Sequence, residues 1–156
     1  QPSERTWEVL AATTAVLPRD RPRYLMGVGT PEDFLAAVAT GVDMMDCVLP
    51  TRNARHKQAL TWRGALRMRN LRHARDPLPL DPDCRCSTCR THSRAYLRHL
   101  SQVDEPLVWT LLAIHNVHFL LELAGRAREA IHAGRFATFR AETLAALGED
   151  GAAPDR

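Results

Sequence analysis

Cys84, Cys86 and Cys89 fall within six residues, and His115 follows on a strongly helical stretch. Three thiols this close are reactive unless something holds them as thiolates. A structural zinc ion does so with four tetrahedral N/S ligands at about 2.0–2.3 Å, leaving no open position. Cys84 and Cys86 lie too close along the chain to pair comfortably as a disulfide. A secreted disulfide framework would also spread its cysteines more widely. The fourth ligand is open at this level. His92, His99, His115 and His118 all follow the cysteines, and a closed site needs only one of them.

A second candidate is Asp46, inside the apolar run Asp43-Met44-Met45-Asp46-Cys47-Val48 and just before Leu49-Pro50-Thr51-Arg52-Asn53-Ala54-Arg55. In parallel α/β folds, residues at the carboxyl ends of strands carry the chemistry. A carboxylate there can serve as nucleophile or general base. It can equally be a structural group capping a turn or pairing with Arg52 or Arg55.

These groups must be positioned by local elements. Trp7 to Leu17 reads as a helix ending before Pro18, and Arg23 to Gly29 as a short buried strand running into a glycine-rich loop. Thr30 is an N-cap, Pro31 takes the first helical position, and Glu32 and Asp33 suit the positive first turn. The helix runs to Ala39, with Gly41 as its C′ glycine, before a second strand over Asp43–Val48. Strand, helix and strand within about thirty residues make a βαβ unit with parallel strands. Residues 49–55 read as a loop, and Ala59–Trp62 and Ala65–Arg69 as a hairpin turning at Arg63-Gly64, with one arginine-lined face.

Three prolines between Asp76 and Asp83 require a loop. A helix is expected from about Cys89 to Leu100, another from about Glu105 to Ala133, and a last one over Phe136–Leu147. On the long helix Leu107, Leu111, Leu112, His115, Phe119, Leu120 and Leu123 fall largely on one stripe, as core residues do. The tail, Gly148 to Arg156, is expected to fray.

The net charge of +3 hides an uneven distribution. Arg52 to Arg98 carries twelve Lys/Arg against three Asp, a surplus of nine, while the rest is acidic. A basic middle segment is the footprint of a phosphate-backbone binder, although an arginine-rich solvated surface gives the same count. No apolar run approaches the roughly 20 residues of a membrane helix, and none near Gln1 resembles a signal peptide. A cytoplasmic protein with reduced, metal-bound cysteines and no membrane partner is the expectation. A start at Gln1 rather than Met points to a piece of a longer chain.

Several blocks closely resemble bacterial tRNA-guanine transglycosylase, in the family's order and spacing from about Pro22 to Leu147. They are Tyr24-Leu25-Met26-Gly27-Val28-Gly29, Asp46 to Arg55, Arg69-Asn70, Leu80-Asp81-Pro82 before the cysteines, Ser93-Arg94-Ala95-Tyr96-Leu97 and His115-Asn116. The resemblance implies an α/β fold: the C-terminal part of a (β/α)8 TIM barrel with an inserted zinc-binding subdomain. It also implies an enzyme, a glycosyltransferase that exchanges guanine at the wobble position of GUN-anticodon tRNAs for a 7-deazaguanine, in queuosine biosynthesis.

By the same resemblance Asp46 is the nucleophile, Tyr24 and Met26 sandwich the base, and the backbone at Gly27 lines its pocket. Arg52 and Arg55 hold anticodon nucleotides, and one structural zinc per chain sits on Cys84, Cys86, Cys89 and His115. The family is usually homodimeric. Three parts are expected: the last βα units with the catalytic strand and loop (1–58), the zinc-binding subdomain (59–125), and C-terminal helices with a tail (126–156).

The match covers only the last part of the family's length. Gln1 to Arg5 do not match the family's preceding glycine-rich loop, and His56, Trp109 and His118 depart from its pattern. The other reading is a non-catalytic zinc-containing tRNA-binding or docking subunit of the same family. A DNA-binding zinc finger fits poorly, because the cysteines lead into a long apolar-striped helix rather than a short recognition helix.

Overall fold

The computed structural model describes residues 4–148; the expected fraying beyond Gly148 and the mismatch at Gln1–Ser3 lie outside them. The chain divides into two compact units, Gln1–Leu49 and Pro50–Arg156.

In the first unit α1 (Glu4–Val16) precedes a βαβ unit made of β1 (Tyr24–Leu25), α2 (Pro31–Ala39) and β2 (Met44–Met45). The strands are parallel, with Tyr24 opposite Met44 and Leu25 opposite Met45. Thr30 caps α2 by accepting from the Asp33 amide at 3.1 Å, with Pro31 at the helix start. Leu35 and Ala37 are fully buried beneath the helix. Gly41 turns the chain at φ +90°. A Cβ there would also lie 2.8 Å from the Arg23 guanidinium, which donates to the carbonyls of Gly41 and Leu17. Both strands are shorter than expected: positive φ at Gly27 ends β1, and pairing between β1 and β2 stops at Met45.

In the second unit α3 (Leu49–Arg55) leads into the hairpin of β3 (Gln58–Thr61) and β4 (Gly64–Arg67). After a 3-10 turn at Leu71–His73 and a proline-rich loop come α4 (Ser87–Thr91), α5 (Arg94–Gln102), α6 (Leu107–His132) and α7 (Phe136–Leu147). Two local expectations are corrected. The stretch 49–55 is helix rather than loop, because Pro50 sits in the first turn, where its missing N–H is no loss. The expected Cys89–Leu100 helix is broken at His92, which is extended (φ −131°, ψ 139°). Ser93 then caps α5, accepting from the Tyr96 amide at 3.2 Å. The carbonyls of Leu78 and Asp76 take the next two free amides, of Arg94 and Ala95, so the proline-rich loop fixes the break.

The core of this unit joins Met68, Leu80, Leu97, Val108 and Leu112, all fully buried, to the three clustered cysteines. Along α6 the buried stripe is Val108, Leu111, Leu112, His115, Asn116, Phe119, Leu123, Ala127 and Ala130. Leu107, expected on the stripe, is 43% exposed at the first turn. By length and composition α6 is long and apolar enough to cross a membrane, which corrects the expectation that no run approaches that length. The buried side of α6 holds His115 and Asn116 with every polar side-chain atom partnered.

Candidate metal centre and candidate active site

Cys84, Cys86, Cys89 and His115 converge, their ligand atoms all within 4.8 Å of one another. The turn that gathers the sulfurs is made by backbone bonds, the Cys84 amide to the Asp81 carbonyl and the Arg90 amide to the Cys86 carbonyl. Cys86 caps α4, its sulfur accepting from the Cys89 amide at 3.3 Å. Thr88, fully buried, donates its hydroxyl to the Leu111 carbonyl at 2.7 Å and so pins α4 to α6 beside His115.

His115 Nδ1 lies 3.6, 3.5 and 3.3 Å from the sulfurs of Cys84, Cys86 and Cys89. Its Nε2 lies 2.7 Å from the Leu60 carbonyl, which fixes the proton on Nε2 and turns the lone pair of Nδ1 toward the sulfurs. Tetrahedral zinc with the usual bond lengths would separate sulfur from nitrogen by about 3.5 Å. The donor set and its spacing therefore fit such an ion, and the four residues could hold a metal. His92, His99 and His118 lie elsewhere. His92 stacks on Tyr96, His99 is exposed on α5, and His118 faces Glu122 at 3.8 Å.

The four side chains pull on one another's protons unevenly. The close approach of Cys86 and Cys89 holds the Cys86 pKa below the ordinary thiol value and pushes that of Cys89 above it. Burial disfavours a charged His115, but its hydrogen bonds to Cys84 and Cys86 outweigh that and raise it to about 9.

Asn116, beside His115 on α6, is fully buried. Its Oδ1 accepts from the Leu60 amide at 2.8 Å, and its Nδ2 donates to the carbonyls of Pro50 and Gln58, each at 3.0 Å. The signal available in the sequence was a polar residue on the buried stripe of α6.

The second candidate centre lies in the first unit. The Tyr24 hydroxyl donates to Asp46 Oδ1 at 2.6 Å, and the Gly27 amide reaches the same oxygen at 3.4 Å. Among the described residues Oδ2 receives no hydrogen bond. That bond raises the Tyr24 pKa first, with burial and the carboxylate charge adding to it. Tyr24 stands in β1 and Met26 just beyond its end, and they are 53% and 73% exposed. At Gly27, φ is +73° and the space where a Cβ would point is open. Gly29 has the opposite reason to be glycine, since a Cβ there would lie 2.0 Å from the Cys47 sulfur. Within the first unit the Asp46 carboxylate is held by Tyr24 and Gly27. Arg52 and Arg55 are exposed on α3, in the second unit, and Arg63, Arg67, Arg75 and Arg85 are also exposed there.

Fold and sites together define a mixed α/β protein with an exposed carboxylate in its first unit and, in its second, a Cys3His cluster that could hold a metal ion. The model of the family described as queuine tRNA-ribosyltransferase matches residues 1–149, and the chain belongs to that family. It is similar to the queuine tRNA-ribosyltransferase of Methylobacillus flagellatus, 51% identical over 91% of this chain and 38% of the relative. The protein of that name from Dinoroseobacter shibae is 50% identical over 97% of this chain and 40% of its own length. That from Novosphingobium aromaticivorans is 57% identical over 81% of this chain and 34% of its own. The chain thus spans about two fifths of the length of the curated relatives it matches.

Proposed function

We propose that the chain is the C-terminal part of a tRNA-guanine transglycosylase, with Asp46 as its nucleophile. The observation that carries this reading is the unequal treatment of the Asp46 carboxylate. Tyr24 and Gly27 orient it through Oδ1, while Oδ2 keeps its lone pairs for attack. Oδ2 would form a bond to C1′ of the wobble nucleoside of a GUN-anticodon tRNA as the bond to guanine breaks, guanine leaving with that electron pair. A 7-deazaguanine nitrogen would then attack C1′ of the aspartyl-ribosyl ester, lose its proton and release the carboxylate. One difficult displacement is thereby divided into two easier ones.

Tyr24 and Met26 offer a flat ring and a thioether to an extruded base, with open space over Gly27 for its edge. Arg52 and Arg55 would hold flanking anticodon nucleotides, and the remaining exposed arginines the RNA backbone. The βαβ unit would supply the last strands of a (β/α)8 TIM barrel. Residues 1–58 then form its catalytic end, 59–125 the zinc-binding subdomain and 126–156 the C-terminal helices. Zinc on Cys84, Cys86, Cys89 and His115 would cross-link its subdomain, four protein ligands leaving it no chemical role. The assembled enzyme is read as a cytoplasmic homodimer, a compartment that suits three reduced thiols.

The test is incorporation of labelled guanine into a GUN-anticodon tRNA, with the chain unchanged and with Asp46→Asn. Incorporation that disappears in Asp46→Asn, with tRNA binding kept, supports the reading. Incorporation that survives in Asp46→Asn sinks the nucleophile assignment. Binding without incorporation in the unchanged chain favours the alternative, a non-catalytic zinc-containing tRNA-binding or docking part of the same family.

A further inference from the structure

Two adjacent side chains of α6 hold nearly the whole outer edge of β3. The β3–β4 hairpin turns through two residues, so Thr61 and Gly64 bond to each other while Leu60 and Gln58 point their amide and carbonyl groups away from β4. Such outward groups must find partners when buried. His115 takes the Leu60 carbonyl, and Asn116 takes the Leu60 amide and the Gln58 carbonyl. The second amide proton of Asn116 goes to the Pro50 carbonyl in the first turn of α3. One side chain therefore ties the strand held by a metal ligand to the helix carrying Arg52 and Arg55.

That tie matters because α3 has only seven residues. A helix so short cannot sustain itself and depends on what holds it. Fully buried Ala54 is one anchor and the Pro50 carbonyl is another. A ligating histidine is oriented by the partner of its other nitrogen, and the constraint runs both ways. Fixing Nδ1 at the centre fixes the Leu60 carbonyl at Nε2, and Leu60 in turn fixes Asn116.

We propose that Asn116 is a positioning residue through which occupancy of the Cys3His centre sets the order of α3. The metal then governs how firmly Arg52 and Arg55 are presented, a consequence that rests on the RNA-binding reading above.

The experiment is amide hydrogen exchange at His56 and Lys57, whose amides close the end of α3 on Arg52 and Ala54. It is run with cobalt bound and with the metal chelated, on the unchanged chain and on Asn116→Asp. That substitution keeps the acceptor for Leu60 but loses both donors. In the unchanged chain cobalt should slow the two amides by about tenfold or more. In Asn116→Asp the thiolate-to-cobalt absorption bands should be unchanged, while both amides exchange fast with or without cobalt. A general structural role would move both readouts together.

Slow, metal-dependent exchange in Asn116→Asp overturns the proposal, as does metal-independent exchange in the unchanged chain. Should Asn116→Asp fail to load cobalt, uncharged Asn116→Ser takes its place with the same expectations. If both fail to load, Asn116 builds the centre rather than relaying it, and the proposal is wrong. No RNA is present, so failure here leaves the transglycosylase reading standing, and a chain that exchanges no guanine leaves the relay standing.

Discussion

Lys57 and Asp104, the two non-glycine residues with positive φ among the described residues, are bonded to each other. Lys57 at φ 57° places its ammonium 2.6 Å from a carboxylate oxygen of Asp104, itself at φ 54°. The same oxygen accepts from Arg69 at 2.7 Å, so one carboxylate joins the turn after α3 to the turn between α5 and α6. Both backbones sit in the left-handed region that side chains disfavour. Loss of the carboxylate and relief of the backbone should therefore pull in opposite directions at position 104. Asp104→Gly is expected to melt above Asp104→Ala, both below the unchanged protein. Equal melting temperatures for the two variants would show that the backbone conformation costs nothing there.

Removal of a metal ligand should cost more than removal of its support. Loss of an outer hydrogen-bond partner lowers metal affinity by roughly 10–100-fold. Cys86→Ser removes a ligand and is expected to exceed that range, whereas Thr88→Val, which only unpins α4 from α6, should fall within or below it. Competition against a chromophoric chelator measures both. A Thr88→Val loss as large as that of Cys86→Ser would make assembly of α4 on α6, rather than the sulfur count, the limiting feature.

His73 should make the protein acid-sensitive. It is 2% exposed, and burial lowers its pKa, with the charges of Arg72 and Arg94 adding to the effect. Asp76, 3.8 Å away, opposes the shift without reversing it. The folded state thus prefers the neutral ring, and the unfolded chain binds a proton first as pH falls. Stability from this residue is fully present above about pH 6.5 and is lost as pH drops below it. The denaturation midpoint of His73→Leu should decline less between about pH 7.5 and about pH 5.5, one unit either side of that value. Parallel declines would remove His73 as the source.

Close packing beside the carboxylate gives a coupling prediction. A Cβ on Gly29 would lie 2.0 Å from the Cys47 sulfur and 2.4 Å from the Cys47 Cβ. Gly29→Ala should destabilise the chain strongly, and Cys47→Gly in the same chain should recover part of the loss. A double-mutant cycle by urea unfolding reads the coupling, expected within about 0.5–3 kcal/mol. Strict additivity would mean that the strand end moves aside freely.

The centre of α6 offers the largest single apolar loss. Phe119 is 2% exposed and meets Trp62 edge-on at 5.1 Å between ring centres, and the Arg126 guanidinium lies 4.1 Å over Trp62. Phe119→Ala is expected to cost about 3–5 kcal/mol. An equilibrium unfolding loss below about 1 kcal/mol would mean that the stack collapses into the gap.

Local chemistry was well written in the sequence wherever one residue type had one job. Thr30, Pro31 and Gly41 bound α2 as their types require, and the three cysteines and His115 converge as their donor atoms demand. The seven residues from Leu49 to Arg55 are ambiguous in sequence because Pro50 signals both a loop and a helix start, and the burial of Ala54 and the tertiary bond from Asn116 favour the second. The break at His92 was hidden for the same reason, since the carbonyls of Asp76 and Leu78 that fix it lie 16 and 14 residues before it. Asn116 could be seen as a buried polar residue. Its three main-chain partners depend on strand register and could not.

The metal centre takes three donors from one short segment and its fourth 26 residues later, from the middle of α6. A ribosome adding about 5–20 residues per second reaches His115 roughly one to five seconds after Cys89. Through that interval the three thiols emerge ahead of their imidazole, and each must stay reduced and unclaimed by other metals. The order of ligands along the chain makes the last donor to be translated, His115, the one that closes the cluster.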